Sequence, residues 1–152
     1  MTIRLATEFD CDQVLHLLNQ LGEIVNELVC FDPDNVRAHE IGRVNYLEAI
    51  KREDRKVFVA ENSGRIVAAA TFFILHDFIT GKPFAHLDDF IVEKTLRGKG
   101  IGTKLLEFIK QFAKDHNIHT IELTSSLPLT RAHKFYENRG GTYARKVIKF
   151  SL

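Results

Sequence analysis

The chain has 152 residues, of which 45% are hydrophobic and 27% are charged, and its formal net charge is +1. This length and composition are typical of one globular domain, which we expect to span residues 1–152. The small net charge and the lack of a basic block argue against nucleic acid or an anionic membrane as a partner. The mostly apolar run 66–75 is interrupted by Thr71 and is too short to span a bilayer.

Two further features of the sequence bear on the environment of the protein. The N-terminal residues lack the charged-then-apolar pattern of a secretory signal. Cys11 and Cys30 have no metal-ligand spacing, and two cysteines are too few for a disulfide framework. We therefore expect a cytoplasmic protein that holds no metal ion.

Hydrophobic periodicity and turn residues predict the elements of the fold in chain order. They are a strand at 2–6, a helix from Thr7 or Asp10 to about 21, a loop at 30–35, a helix from Asp34 or Asn35 to about 52, strands at 56–61 and 65–75 joined by Asn62-Ser63-Gly64, a turn at 80–83, a strand at 84–92, a helix at 102–116, a strand at 118–125, a helix at 129–138 and a strand at 142–150. Helices that flank one mostly continuous sheet make an α/β layer fold.

The most informative segment is the turn 97–102, which reads Arg-Gly-Lys-Gly-Ile-Gly between a predicted strand and a predicted helix. Such a turn leaves backbone N–H groups without partners at a helix N-terminus, where the helix dipole also attracts anions. Its glycines let the backbone approach a bulky anion such as a pyrophosphate, and Arg97, Lys99 and Lys104 add positive charge. The alternative is a tight turn that uses glycine only for its backbone freedom.

Two well-known phosphate loops do not fit this turn. The Walker A pattern requires a second glycine where Thr103 or Leu105 stands. The dinucleotide pattern Gly-x-Gly-x-x-Gly fails at the same two positions. If the turn binds an anion, it does so by another scheme.

That scheme is found in a known superfamily. The spacing Arg97-x-x-Gly100-x-Gly102 resembles the acetyl-CoA pyrophosphate loop, Gln/Arg-x-x-Gly-x-Gly/Ala, of the GNAT superfamily of N-acetyltransferases. The segment 132–140 resembles the Ala-x-x-Phe-Tyr-x-x-x-Gly helix of the same superfamily. The segment 87–92, Leu-Asp-Asp-Phe-Ile-Val, is similar to the Leu-Glu-Asp-Phe-Phe-Val strand of diamine (polyamine) acetyltransferases.

The resemblance implies a single GNAT-type domain with a mixed, mostly antiparallel central sheet flanked by about four helices, in the order βααββ-β-α-β-α-β. It also implies acetyl-CoA as co-substrate, with the pantetheine arm along the backbone of 90–92. The oxyanion donor is expected to be an N–H around Ile91, where family members splay two strands. The residues expected to bind the co-substrate are Phe90, Ile91, Val92, Arg97, Gly98, Lys99, Gly100, Ile101, Gly102 and Thr103.

Acetylation of an amine needs the neutral amine, yet a free alkylamine titrates near ~10.4. A base must therefore take its proton, directly or through water. Asp88 and Asp89 are the candidate bases, although a strand presents only one of two neighbours to a cleft unless it carries a bulge. In the diamine acetyltransferases, the Asp88 position holds a glutamate implicated as base and the Asp89 position an acidic substrate contact. We expect Asp88 to act through a water and Asp89 to hold a second cationic group.

Alternatives stay open at these positions. His86 lies on the same face as Asp88 and is another candidate base. As another alternative, both aspartates are solvated carboxylates at the end of a sheet and have no catalytic role. Tyr136 matches the family tyrosine that donates a proton to the departing CoA thiolate, and its alternative role is aromatic packing beside Phe135.

The sequence departs from the family pattern at Leu129, where Asn is frequent, and at Gly141, where Phe is usual. Neither position carries the expected chemistry. We predict an acetyl-CoA-dependent N-acetyltransferase that acts on a primary amine of a small cationic molecule by direct transfer in a ternary complex. The alternatives are a protein or peptide N-acetyltransferase and a CoA-binding regulatory module without turnover. The identity of the amine and the choice between a monomer and a homodimer stay open.

Overall fold

The computed structural model describes residues 1–29, 39–145 and 148. In chain order the elements are β1 (Thr2–Leu5), a 3₁₀ turn (Glu8–Asp10), α1 (Cys11–Val29), α2 (His39–Ala49), β2 (Arg55–Asn62), β3 (Arg65–His76), β4 (Pro83–Val92), a 3₁₀ turn (Lys94–Leu96), α3 (Ile101–Asp115), β5 (Ile121–Leu123) and α4 (Thr130–Glu137). Among these described helices, none is long and apolar enough to cross a membrane.

The strands form one sheet in the spatial order β1-β2-β3-β4-β5. The first four strands pair antiparallel with their neighbours, and β5 pairs parallel with β4. The predicted α/β fold with a mixed, mostly antiparallel sheet and four flanking helices is therefore confirmed. The connection between β4 and β5 runs through α3, as a parallel pair requires.

The core lies in two layers, one on each face of the sheet. Alternate residues of β2 belong to different layers, because side chains along a strand point to opposite faces. The layer under α1 and α2 comprises Cys11, Val14, Leu15, Leu17, Tyr46, Val57, Val59, Ile66, Ala69 and Ile91. The layer under α3 comprises Phe58, Ala60, Val67, Ala68, Ala70, Phe72, Ala85, Leu87, Ile101, Leu105, Leu106, Ile109, Ala113 and Ile118.

Helix α3 has defined ends because residues with a left-handed backbone flank it. Gly100 precedes it with φ +81°, and Asn117 follows shortly after its end with φ +58°. The N–H of Ile118 donates to the carbonyl of Ala113 at 2.8 Å, and the Ile118 side chain is buried, as in a Schellman motif.

Several element boundaries differ from the sequence-based prediction. Helix α1 continues to Val29 instead of ending near Leu21, and β5 is confined to Ile121–Leu123. Residues 142–145 form no regular structure, although a strand was expected there. The predicted loop 30–35, the helix start at Asp34 or Asn35, and most of the predicted strand beyond residue 145 lie outside the described residues.

A network of ionic hydrogen bonds joins the start of α1 to the edge of the sheet. The guanidinium of Arg4 donates to both carboxylate oxygens of Asp10, at 2.7 and 2.9 Å, and to Glu61. Asp10 also accepts hydrogen bonds from the N–H and the hydroxyl of Thr7, at 2.7 and 2.9 Å. These bonds, that of Arg4 above all, lower the pKa of the buried Asp10 carboxyl from 3.8 to about 2.

We expect Asp10→Asn to lower the free energy of unfolding by about 2 kcal/mol at pH 7. The native carboxylate is stabilised relative to the unfolded one, so its contribution is present above the unfolded pKa and is lost as the pH falls from 3.8 toward about 2. Urea unfolding at pH 7 and pH 2 measures this, with Asp12→Asn, at an exposed carboxylate in the first turn of α1, as control. A difference that does not shrink at pH 2 would contradict the assignment.

Candidate functional site

A cleft of about 1260 Å³ opens where β4 and β5 separate. Their last paired residues are Leu87 and Leu123, after which β4 continues to Val92 without β5 beside it. The walls come from α1, the end of β4, the loop before α3, the segment after β5, and α4. Each wall is therefore fixed to the sheet or to a helix packed on the sheet.

A β-bulge at the entrance to the cleft turns the end of β4. Two residues of this strand, Asp88 and Asp89, lie opposite the single residue Thr71 of β3. The extra residue reverses the alternation of β4 from this point on. Both aspartates line the cleft, which a regular strand would not allow.

The bulge also determines which backbone donors face the cleft. The N–H of Ala85 donates toward β5, to the segment that leads into that strand, whereas the N–H groups of Asp89 and Glu93 donate toward β3. By alternation, the N–H groups of Phe90 and Val92 therefore point into the space that β5 vacates. The N–H of Ile91, near which the sequence led us to expect the oxyanion donor, points toward β3.

A hydrogen bond from Arg97 agrees with this direction of the Val92 N–H group, because the N–H and the carbonyl of Val92 point to the same side of the strand. The Nε of Arg97 donates to the carbonyl oxygen of Val92 at 2.8 Å, so the guanidinium is held at the open end of β4. Burial, and to a lesser degree the charge of Arg131, lower the pKa of Arg97. Two arginines that repel each other thus border the same cleft.

The loop before α3 presents free backbone donors to the cleft. Gly98 and Gly100 both have φ +81°, a conformation that favours glycine. Among the described residues, no group accepts a hydrogen bond from the N–H groups of 98–103, and the first bond of the helix is from Lys104 to Gly100. Helix α3 therefore begins with unpartnered donors and the positive end of its dipole.

Gly102 lets the start of α3 approach its neighbours closely. A Cβ atom at this position would lie 3.4 Å from side-chain atoms of both Phe135 and Val92. Helix α4 is held there by Arg139, whose guanidinium donates to Thr103 Oγ1 and stacks 4.0 Å from the centroid of the Phe135 ring. The glycine loop, β4 and α4 consequently form one packed unit around the cleft.

The two aspartates differ in their surroundings. The Asp88 side chain is about half exposed (52%), and its Oδ1 lies 3.7 Å from His86 Nε2. Asp89 Oδ2 accepts a hydrogen bond of 2.7 Å from the hydroxyl of Thr71. Burial raises the pKa of the Asp89 carboxyl, the Thr71 hydrogen bond opposes this rise, and the charge of Asp88 adds to it.

Tyr136 lies in the cleft wall formed by α4. Its ring packs edge-on against Phe90, with centroids 6.3 Å apart. Among the described residues, its hydroxyl has no hydrogen-bond partner, while burial raises its pKa to about 12. The phenol is protonated at neutral pH, as an unshifted tyrosine also is, and its hydroxyl can donate to a group in the cleft.

The structure brings most of the predicted site residues together. Those that line the cleft are Asp88, Asp89, Phe90, Ile91, Val92, Arg97, Gly98, Gly100, Ile101, Gly102, Thr103 and Tyr136. Lys99 and His86 do not line it, although His86 lies beside Asp88. In the part of the chain that the structure describes, no group of three or more His, Cys, Asp or Glu side chains is arranged to hold a metal ion.

Two residues that shape the site, Thr71 beside the cleft and Arg131 in its wall, had no role in the sequence-based prediction. Thr71 interrupts an apolar run, and a lone polar residue in a buried strand was the available signal for its role at the bulge. Arg131 lies one position before the recognised α4 motif, and its charge beside a glycine-rich anion loop was the only hint.

Comparison with known proteins shows what the chain is similar to. The sequence model of the Acetyltransferase (GNAT) family matches residues 21–141. The chain is 30% identical to glucosamine 6-phosphate N-acetyltransferase of Trypanosoma brucei brucei over 98 residues. That alignment covers 64% of this chain and 65% of that protein. It is 24% identical to thialysine N-epsilon-acetyltransferase of Sus scrofa over 115 residues. That alignment covers 74% of this chain and 67% of that protein. The chain thus spans about two thirds of the length of these relatives.

Solved structures support the fold. A tetramutant of the BH1408 protein of Bacillus halodurans superposes with a TM-score of 0.87 at 23% identity, over 100% of both chains. An aminoglycoside acetyltransferase from an uncultured soil metagenomic sample, in complex with sisomicin, superposes with a TM-score of 0.76 at 23% identity, over 99% of this chain and 94% of that one.

The glycine loop resembles a binding site for coenzyme A. We expect Gly100→Asp to weaken the binding of coenzyme A by at least about 100-fold. The new carboxylate would occupy the free N–H groups of the loop and repel a phosphate. Isothermal titration calorimetry measures the affinity. Gly64→Asp is the matched control, because Gly64 also has a positive φ (+77°) and open space around its Cβ position but lies in the β2–β3 turn. Equal affinities of the wild type and Gly100→Asp would contradict the anion site.

Proposed function

This chain belongs to the Acetyltransferase (GNAT) family, and on that premise we propose that it transfers an acetyl group from acetyl-CoA to a primary amine of a small cationic molecule in a ternary complex. The observation that carries the proposal is the cleft between β4 and β5, whose lining includes backbone donors, the carboxylates of Asp88 and Asp89, and a phenol. The curated relatives, which act on glucosamine 6-phosphate and thialysine according to their names, support a small amine as acceptor.

The residues of the cleft fit coenzyme A. The unpartnered N–H groups of 98–103 suit a diphosphate, and the space around the Cβ positions of Gly98 and Gly100 is open, so a ligand can approach the backbone there. Arg97 and Arg131 supply positive charge that no carboxylate among the described residues neutralises. One of the free N–H groups of Phe90 and Val92 suits an amide carbonyl of an extended pantetheine arm, which would lie along β4 like an added strand, and the other is left for the acetyl group.

Acetyl-CoA supplies an activated acetyl group as a thioester. In the proposal, one of the free N–H groups at the end of β4, that of Phe90 or Val92, donates to the acetyl carbonyl oxygen as negative charge develops there. Such fixed donors are effective because they are oriented before the reaction begins. The bulge is therefore part of the proposed chemistry, since it selects these donors.

Tyr136 is the proposed proton donor to the departing sulfur. Its phenol carries its proton at neutral pH, and burial raises its pKa further, to about 12. Its contacts with Phe90 and Phe135 hold the ring in the wall of the cleft. A donor in this position prevents the unfavourable release of a free thiolate.

The two aspartates have separate proposed roles. Asp88, which is half exposed, takes the proton from the amine through a water molecule. Asp89, which is held by Thr71, binds a second cationic group of the acceptor. An amine with two positive charges is the kind of acceptor that two adjacent carboxylates favour.

The proposal is tested by a thiol-release assay with acetyl-CoA and a panel of diamines, amino sugars, free amino acids and peptides, together with calorimetric binding of coenzyme A. Thiol release with a small cationic amine is the expected result. Release with peptides alone would indicate a protein or peptide N-acetyltransferase. Tight binding without release on any amine would indicate a regulatory module and contradict the proposal.

We expect Tyr136→Phe to lower kcat about 100-fold while the KM for acetyl-CoA changes little. The variant keeps the aromatic packing and loses only the proton donor. Tyr143→Phe is the control, because Tyr143 is 78% exposed and lies outside the cleft. Wild-type turnover in the Tyr136→Phe variant would exclude this residue as the acid.

We expect Asp88→Asn to lower kcat/KM about 100-fold and to abolish the acid limb of its pH profile, because the amide accepts no proton. The measurement is the rate from pH 5 to pH 9, with Asp115→Asn, at the far end of α3, as control. An unaltered profile would assign the base to His86, Asp89 or bulk water.

A further inference from the structure

We propose that Thr71 is a positioning residue that fixes the Asp89 carboxylate toward the acceptor in the cleft. This inference rests on the proposed function, in which Asp89 binds a cationic group of the amine. It concerns a residue on β3, which does not itself line the cleft.

One hydroxyl group bonds both the backbone and the side chain of the same residue. Thr71 Oγ1 accepts a hydrogen bond from the N–H of Asp89 at 3.0 Å and donates one to Asp89 Oδ2 at 2.7 Å. A bulge leaves the extra residue without a regular backbone partner on the neighbouring strand. The Thr71 hydroxyl replaces that partner and simultaneously limits the rotamer of Asp89.

The surroundings of Thr71 indicate that the hydroxyl is there for this purpose. Thr71 is itself partly buried, on the face of β3 opposite to its buried neighbours Ala70 and Phe72. A hydroxyl in such a strand costs free energy unless it is hydrogen-bonded. In the described structure, both side-chain hydrogen bonds of Thr71 are to Asp89.

The two bonds have a consequence for the acceptor. Because Oδ2 accepts the Thr71 proton, Oδ1 is the oxygen left for an ammonium group in the cleft. Burial and the charge of Asp88 raise the pKa of Asp89, and the Thr71 hydrogen bond lowers it, which favours the charged form. The other charged or titratable side chains on the cleft walls are Glu23 from α1, Arg97 from the loop before α3, Arg131 and Tyr136 from α4, and Arg139 just after α4.

The kinetic experiment compares Thr71→Val, which has the same shape without the hydroxyl, with Thr71→Ser, which keeps it. For Thr71→Val we expect the KM of a diamine to rise about tenfold, with an unchanged KM for acetyl-CoA. The acid-side rise in the KM of the diamine, which we expect from protonation of Asp89, moves to higher pH, because the hydrogen bond that lowers the pKa of Asp89 is gone. Thr71→Ser restores both quantities. Thr95→Val is the control, because it removes a similar hydroxyl–carboxylate bond, to Glu93, outside the cleft.

A second readout needs no turnover and therefore separates this inference from the proposed function. Carboxyl carbon NMR titration follows Asp89, whose signal is identified by its loss in Asp89→Asn. The expected result is a higher pKa for Asp89 in Thr71→Val than in the wild type and Thr71→Ser, even if no amine is acetylated. An unchanged titration in folded Thr71→Val, or in Thr71→Ala if the valine variant does not fold, would overturn the inference. A raised acceptor KM that serine fails to restore would do the same.

Discussion

The separation of β4 from β5 after the Leu87–Leu123 pair is the constraint on which the rest of the candidate site depends. Had the pairing continued, a β5 carbonyl would satisfy each inward N–H of β4, and the sheet would have no opening. Because the pairing stops, the end of β4 keeps free donors beside the first turn of α3. The extra residue at Asp88 and Asp89 then selects the donors, since a one-residue shift reverses the strand beyond it.

The cleft separates charge, although the whole chain carries a net charge of only +1. Arg97 and Arg131 accompany the free amides of the glycine loop, whereas Asp88 and Asp89 lie together on β4. Within each pair, the neighbour's like charge disfavours the ionised form: it lowers the pKa of Arg97 and raises that of Asp89, in both cases adding to the effect of burial. An anionic ligand beside the arginines and a cationic one beside the aspartates would relieve both repulsions, as a site for two different substrates requires.

Local signals explain why much of the fold was predictable. The Asn62-Ser63-Gly64 turn joins β2 to β3 with Ser63 and Gly64 at positive φ, and α3 occupies the residues that the apolar spacing indicated. The differences occur where the length of an element depends on a partner distant in sequence. Strand β5 is shorter than predicted because β4 turns away from it, and this divergence leaves no mark in the residues of β5 themselves.

The sequence by itself determined the chemical groups of the candidate site and their order: a glycine-rich turn before a helix, paired carboxylates on a strand, and a tyrosine on a later helix. It also carried enough of the family pattern to identify the fold. Only the tertiary structure decided which way these groups face. The bulge opposite Thr71, the inward N–H groups of Phe90 and Val92 and the position of Arg131 beside Arg97 all follow from pairing between distant segments. Such pairing depends on register and packing, which local propensity does not encode.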